Sequence, residues 1–187
     1  MKTSLKDDSI FLNGIGNIHI RLSRKAKHTR IIINPFCQIS VVIPPHIRIE
    51  DAIEFVNSKK NWIKTNKAKV SKRKLLKLNL SDSVLEKFWK NTEKSILQLS
   101  LKFGLGYKNL VFKTLKSRWG SCSFDNTICI NNLLYYLPKH LQEYVLMHEL
   151  MHTKIKNHSK VFWNELEKIC KNSKLKRKEL RDNYALG

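Results

Sequence analysis

The stretch Tyr144-Val145-Leu146-Met147-His148-Glu149-Leu150-Met151-His152 decides the reading of this chain. It contains H-E-x-x-H. Positions i and i+4 of a helix share a face, so His148 and His152 aim two imidazoles at one point. Two neutral imidazoles on one face suit Zn²⁺. Glu149, one residue on, is placed to take a proton from a zinc-bound water rather than to ligate the ion. Val145, Leu146, Met147, Leu150 and Met151 are apolar, which predicts a helix buried nearly all round. Three polar side chains on such a helix need partners, and one metal ion accounts for all three.

A catalytic zinc takes three protein ligands and keeps one open position. Residues 152–158 extend the motif to H-E-x-x-H-x-x-x-x-x-H, ending at His158. Metzincins share this spacing but place a Gly midway for a sharp turn, and Ile155 stands there instead. Asn157 tolerates the left-handed conformation. It is the expected end of the helix, with His158 in the turn that follows. His158 is the leading third ligand, and Glu165 and Glu167 on the next helix are the alternatives.

Upstream lies Arg118-Trp119-Gly120-Ser121-Cys122, followed by a turn at Asp125-Asn126 and a return strand with Ile128 and Ile130. An edge strand beside the zinc helix can hold an extended substrate through main-chain hydrogen bonds. Gly120 allows close backbone approach, and Arg118 suits a carboxylate or phosphate. Arg118, Trp119, Gly120 and Ser121 are therefore candidate substrate-binding residues. In the competing reading Trp119 anchors the core and Arg118 pairs with a buried acid. Cys122 and Cys129 are candidates to face each other across the hairpin.

In the N-terminal half, Ile18, Ile20 and Leu22 alternate with polar residues, and 29–33 and 38–43 read as two further strands. An antiparallel meander closed by Pro44-Pro45 is expected. Ala52, Ile53, Val56 and Ile63 then follow helical spacing. The basic, weakly patterned residues 67–77 are the best candidate linker, giving domains at 1–70 and 71–187. Ser83 and Glu86 suggest a capping box for a helix through Leu85, Phe88, Ile96 and Leu99, ended by Gly104 and Gly106. Pro138 opens the zinc helix. Ser159 caps a further helix with Phe162, Trp163, Leu166 and Cys170 on one face. Residues 171–181 form a basic helical or frayed tail.

Among 187 residues, 36 Lys and Arg face 15 Asp and Glu, for a net charge of +21. Such an excess points to an anionic partner, with non-specific polyanion or nucleic-acid binding as the expectation. The same excess also arises from a Lys-rich solvated surface with no binding role. Four cysteines without a C-x-x-C pair argue against a second zinc site or a disulfide scaffold. Lys2, Lys6, Asp7 and Asp8 precede any apolar run, unlike a signal peptide, and no stretch has the length of a membrane span. A cytoplasmic protein without membrane association is expected.

The ordered set Arg118-Trp119-Gly120-Ser121-Cys122, Ile128-Cys129-Ile130-Asn131, Pro138, His148-Glu149-Leu150-Met151-His152, Asn157-His158-Ser159 and Phe162-Trp163 resembles the YgjP-like zinc metallopeptidase family. These are relatives of SprT-like proteins within the zincins. Ser23-Arg24, Ile43-Pro44-Pro45 and Asn61-Trp62-Ile63 extend the resemblance over nearly the whole chain. It implies an α+β fold, with a zincin-like domain whose active-site helix packs on a small antiparallel sheet. It also implies one Zn²⁺ per chain held by His148, His152 and His158, Glu149 as catalytic base, and a peptide or protein substrate. Two alternatives stay open on the residues. One is a metal-dependent nucleotide phosphohydrolase, although no Gly-rich phosphate loop accompanies it. The other is a SprT-like protease tethered to nucleic acid by residues 72–77 and 171–181.

Overall fold

The computed structural model describes residues 8–187. The chain divides between Arg73 and Lys74 into two compact units. Lys2, Lys6 and Asp7, on which part of the leader reading rests, lie outside the described residues.

The first unit contains β1 (Asp8–Leu12), β2 (Gly16–Leu22), β3 (Arg30–Ile33), β4 (Ile39–Ile43), α1 (Ile49–Ser58) and α2 (Lys60–Ser71). Its sheet has the order β1-β2-β4-β3. The expected antiparallel meander is corrected here, because β2 and β4 run parallel. Residues 23–29 make a link too long for a tight hairpin, so β3 lands one place further out. The β3–β4 hairpin then folds β4 back into the gap. β4 suits the central position, since Ile39, Val41, Val42 and Ile43 are all buried and a strand covered on both faces reads as a continuous apolar run. Ala52, Val56 and Ile63 pack with Ile18, Ile39, Val41 and Ile43 in the core of this unit. The helical pattern over 52–63 belongs to two helices: Ser58 turns its hydroxyl back to Phe55 O (2.7 Å), and Lys59 leaves the helical conformation. The expected linker at 67–77 is helical to Ser71 and extended from Lys74.

The second unit contains β5 (Lys74–Leu76), α3 (Asp82–Phe103), β6 (Asn109–Lys113), β7 (Gly120–Cys122), β8 (Thr127–Asn131), a 3₁₀ turn (Asn132–Tyr136), α4 (Lys139–Lys154), α5 (Lys160–Ile169), α6 (Ser173–Asn183) and β9 (Tyr184–Leu186). The architecture is α+β. Its three-stranded sheet is mixed rather than purely antiparallel: order β6-β8-β7, with β6 parallel to β8 and β7 antiparallel to it. The device is the same as in the first unit. Residues 114–119 carry the chain past one position, and the β7–β8 hairpin fills it. Ser121 stands opposite Cys129 and Cys122 opposite Ile128, so the two cysteines are not cross-strand partners.

α4 is the central element, packed against α3, α5, α6, β7 and β8. Leu141, Tyr144, Val145, Leu146, Met147, Leu150 and Met151 are buried in one core with Ile128, Ile130, Phe162 and Leu166. The expected capping box at Ser83 and Glu86 does not form: Ser83 lies inside α3, which starts at Asp82 after Ser81, whose hydroxyl meets that of Ser83 at 3.1 Å without capping the helix. Gly104 ends α3 at φ 63°, a conformation that favours glycine. The basic tail is folded. Glu167 accepts hydrogen bonds from Asn172 N (2.6 Å) and Ser173 N (2.9 Å) at the start of α6. Leu180 is buried, and β9 pairs in parallel with β5. Among the described residues no helix is long and apolar enough to cross a membrane.

Candidate metal centre and substrate cavity

α4 presents His148 and His152 one turn apart, then ends at Lys154, with Ile155 extended. The helix stops three residues before Asn157, which lies in the turn with His158. The chain thus returns His158 to the same point. The three Nε2 atoms form a triangle: 3.2 Å from His148 to His152, 3.1 Å from His152 to His158 and 3.0 Å from His158 to His148.

The triangle fits a tetrahedral zinc site. Zinc–nitrogen bonds of about 2.0–2.1 Å place tetrahedral ligand nitrogens about 3.3–3.4 Å apart. His152 Nδ1 lies 3.0 Å from Ile155 O. That carbonyl can only accept, so Nδ1 carries the proton and Nε2 points a lone pair at the centre. Neutral imidazoles have one N–H each, too few to satisfy three converging nitrogens and these outer contacts together. A cation removes the conflict. Burial, with the charges of His152 and His158 adding to it, holds His148 down at about 3; burial also lowers His152, and burial with the charge of Arg177 lowers His158. All three are therefore in the neutral form that ligates metal. His148 Nδ1 is buried without a hydrogen-bond partner.

Aromatic rings wall the site. Phe162, fully buried, stacks on His152 at 4.5 Å, and Trp163 stacks on His158 at 5.5 Å. Ser159 caps α5 by accepting from Phe162 N (3.4 Å), which fixes the turn that delivers both rings. Glu165 pairs with Lys168 (2.5 Å) and Lys154 (3.6 Å), while Glu167 caps α6. Both alternative ligands are engaged elsewhere.

Glu149 is buried, and desolvation pushes its carboxyl up to about 8, partly offset by the charge of Arg118. It faces β7. A Cβ added at Gly120 would lie 2.7 Å from Glu149 Cγ and 2.8 Å from Oε1. The absent side chain of Gly120 therefore makes room for the glutamate. Replacing Gly120 with Ala is expected to displace Glu149 and lower any activity that depends on it by about 10-fold or more, the effect of a small misplacement of a reacting group. Assay of Gly120→Ala beside Ser121→Ala checks this; equal, small effects would contradict it.

A cavity of about 430 Å³ adjoins the histidines, lined by Arg118, Trp119, Gly120, Tyr144, Glu149 and Arg177 among others. Ser121 does not line it. Trp119 is half-buried and packs on the core, whereas Arg118 is exposed and, among the described residues, makes no ion pair with a buried acid, although its charge acts on Glu149. β7 is an edge strand of its sheet.

Several residues were not singled out by the sequence reading. Tyr144 lines the cavity one turn before His148, and burial pushes its phenol up to about 12. Arg177, expected in the tail, lies over the Trp163 ring at 4.8 Å. Fully buried Asn131 donates through Nδ2 to Leu115 O (2.8 Å) and Arg118 O (2.9 Å). Asn132 bonds Trp89 (2.8 Å) and Thr114 (3.1 Å). Two consecutive amides at the end of an apolar strand were the available signal, because buried amides need partners.

Residues 71–183 match the family model for the YgjP-like metallopeptidase domain. The chain belongs to the YgjP-like metallopeptidase family, a family of hydrolases. Two solved structures are similar over about half of it. One is the metallopeptidase zymogen of Pyrococcus abyssi abylysin, at 25% identity, covering 50% of this chain and 99% of that one with a TM-score of 0.43. The other is the metallopeptidase zymogen of Methanocaldococcus jannaschii jannalysin, at 26% identity, covering 48% and 91% with a TM-score of 0.42. No curated protein matches the chain.

Proposed function

We propose that the protein is a zinc-dependent peptidase in which His148, His152 and His158 hold the metal and Glu149 is the general base. The observation that carries this reading is the convergence of three neutral imidazole nitrogens beside a buried carboxylate at the wall of one cavity. A zinc ion at such a site supplies Lewis acidity, which activates water near neutral pH and polarises a carbonyl. The charge of such an ion would lower the Glu149 carboxyl from the raised value it has without metal, so that the ionised carboxylate accepts a proton and returns it to the departing amine nitrogen. Gly120 keeps the space in which that carboxylate sits. The His152–Ile155 contact orients one ligand, and Phe162 and Trp163 pack on the rings of His152 and His158. The free edge of β7 suits an extended peptide bound through its main chain, with Arg118, Trp119, Gly120 and Ser121 alongside.

The test is cleavage of a denatured protein by zinc-loaded enzyme, with the cut ends read by mass spectrometry. Activity should vanish with chelator and return with zinc. Absence of any new termini at high enzyme concentration would reject the peptidase reading.

A second reading, nucleotide phosphohydrolysis, is favoured by the guanidiniums of Arg118 and Arg177 at the same cavity. Release of phosphate or pyrophosphate from a nucleoside triphosphate, in place of peptide cleavage, would establish it. Separately, the +21 charge gives the surface a non-specific attraction for polyanions. Duplex DNA binding should weaken steeply with salt, and neutralising Lys171, Lys174, Lys176, Lys178 and Arg181 should flatten that slope. Tight binding insensitive to salt would contradict the idea.

A further inference from the structure

We propose that Arg118 and Arg177 together form an anion subsite that binds an oxyanion of the substrate, a carboxylate or a phosphate, next to the reacting bond. This deepens the hydrolase reading above and rests on it for the neighbouring metal centre.

Both side chains line the cavity that also contains His148, His158 and Glu149, and Glu149 is the only carboxylate on its wall. Neither guanidinium takes part in an ion pair among the described residues; those pairs use Arg48, Lys108, His140, Lys154, Lys168 and Arg181. One carboxylate does not account for two fixed cations. The charge of Arg118 acts on Glu149, whereas that of Arg177 acts on His148, His158 and Tyr144. A guanidinium beside a cation site is electrostatically unfavourable by itself. An anionic group brought by the substrate offsets that repulsion and completes the charge balance.

The Arg177 guanidinium and the backbone that carries Arg118 are both held in place. Arg177 stacks on Trp163, which stacks on His158 and donates its Nε1–H to His158 O (3.2 Å). The backbone at Arg118 and Trp119 is fixed by Asn131, which donates through Nδ2 to Arg118 O and through its amide to Trp119 O (2.9 Å each). Both arginines are exposed, so their donors stay open to a ligand. Planar guanidiniums suit two-oxygen acceptors better than lysine does.

The experiment measures binding by Glu149→Gln protein, with and without zinc, at physiological ionic strength. The probes are acetyl-pentaalanine as free acid and as amide, the amide with Glu or Gln at its centre, and adenosine triphosphate. At least one oxyanion probe should bind about 10-fold or more tightly than its neutral counterpart, or than adenosine in the case of the triphosphate. Arg118→Gln and Arg177→Gln should each remove most of that difference without changing the melting temperature, and Arg177→Lys should restore only part. A free-acid preference assigns the subsite to a C-terminal carboxylate and a Glu preference to an acidic side chain. A triphosphate preference assigns it to phosphate. No difference in any pair, or one that survives both Gln variants, overturns the subsite. Wild-type cleavage of the neutral amides, run in parallel, judges the peptidase reading separately.

Discussion

Glu149→Gln is expected to keep the metal and lose hydrolysis by about 10²–10⁴-fold, the usual contribution of a general base. Gln fills the same space against Gly120 and keeps a hydrogen-bonding head, but it takes no proton. The substitution should also have the opposite effect on stability once metal is removed. The folded chain keeps the Glu149 proton to about pH 8, against an ordinary value of 4.5. Between those values the folded state holds a proton that the unfolded state has released, so stability falls as pH rises. Metal-free Glu149→Gln should therefore match metal-free wild type near pH 4.5. It should exceed it at pH 8 by on the order of a few kcal/mol. Urea titrations at the two pH values read this directly. Loss of zinc from the variant, or an unchanged rate, would remove Glu149 from the proposed role.

His158→Ala is expected to weaken zinc binding by at least about 100-fold, the upper end of what losing an outer partner of a ligand costs. Zinc at a thousand times its dissociation constant stabilises the folded state by about 4 kcal/mol. Wild-type protein should melt at a higher temperature with zinc, and the variant should show about a third of that shift or less at the same concentration. Acid should release the metal from wild type, since protons compete for the three imidazoles. If His158→Ala binds zinc like wild type while Glu165→Ala does not, the third ligand has been misassigned.

Legibility in the sequence followed the range of the interaction. His148 and His152 share a face by helix geometry alone, so their juxtaposition was readable from spacing. Ser159, Pro138 and Gly104 act through the neighbouring backbone and were readable for the same reason. The parallel pairings β2–β4 and β6–β8 depend on which gap a later hairpin fills, and local alternation carries no signal for that. The same holds for β9, three residues long, whose pairing with β5 spans most of the second unit. Arg177 looked like one charge in a basic run. Only the packing of α6 on α4 brings it over Trp163 and into the cavity. Gly120 was read as a point of close approach, but the group approaching it, Glu149, lies in a different element.

The central claim is that three histidines hold a catalytic metal while Glu149 stays outside its coordination. Anomalous diffraction at the zinc edge, from a crystal of metal-replete protein, tests it most directly. The account predicts one zinc per chain, bonded to Nε2 of His148, His152 and His158 at about 2.0–2.1 Å, with the Glu149 carboxylate close by but not bonded. A zinc ion ligated by Glu149, Glu165 or Glu167, or one that leaves His158 unbound, would contradict it.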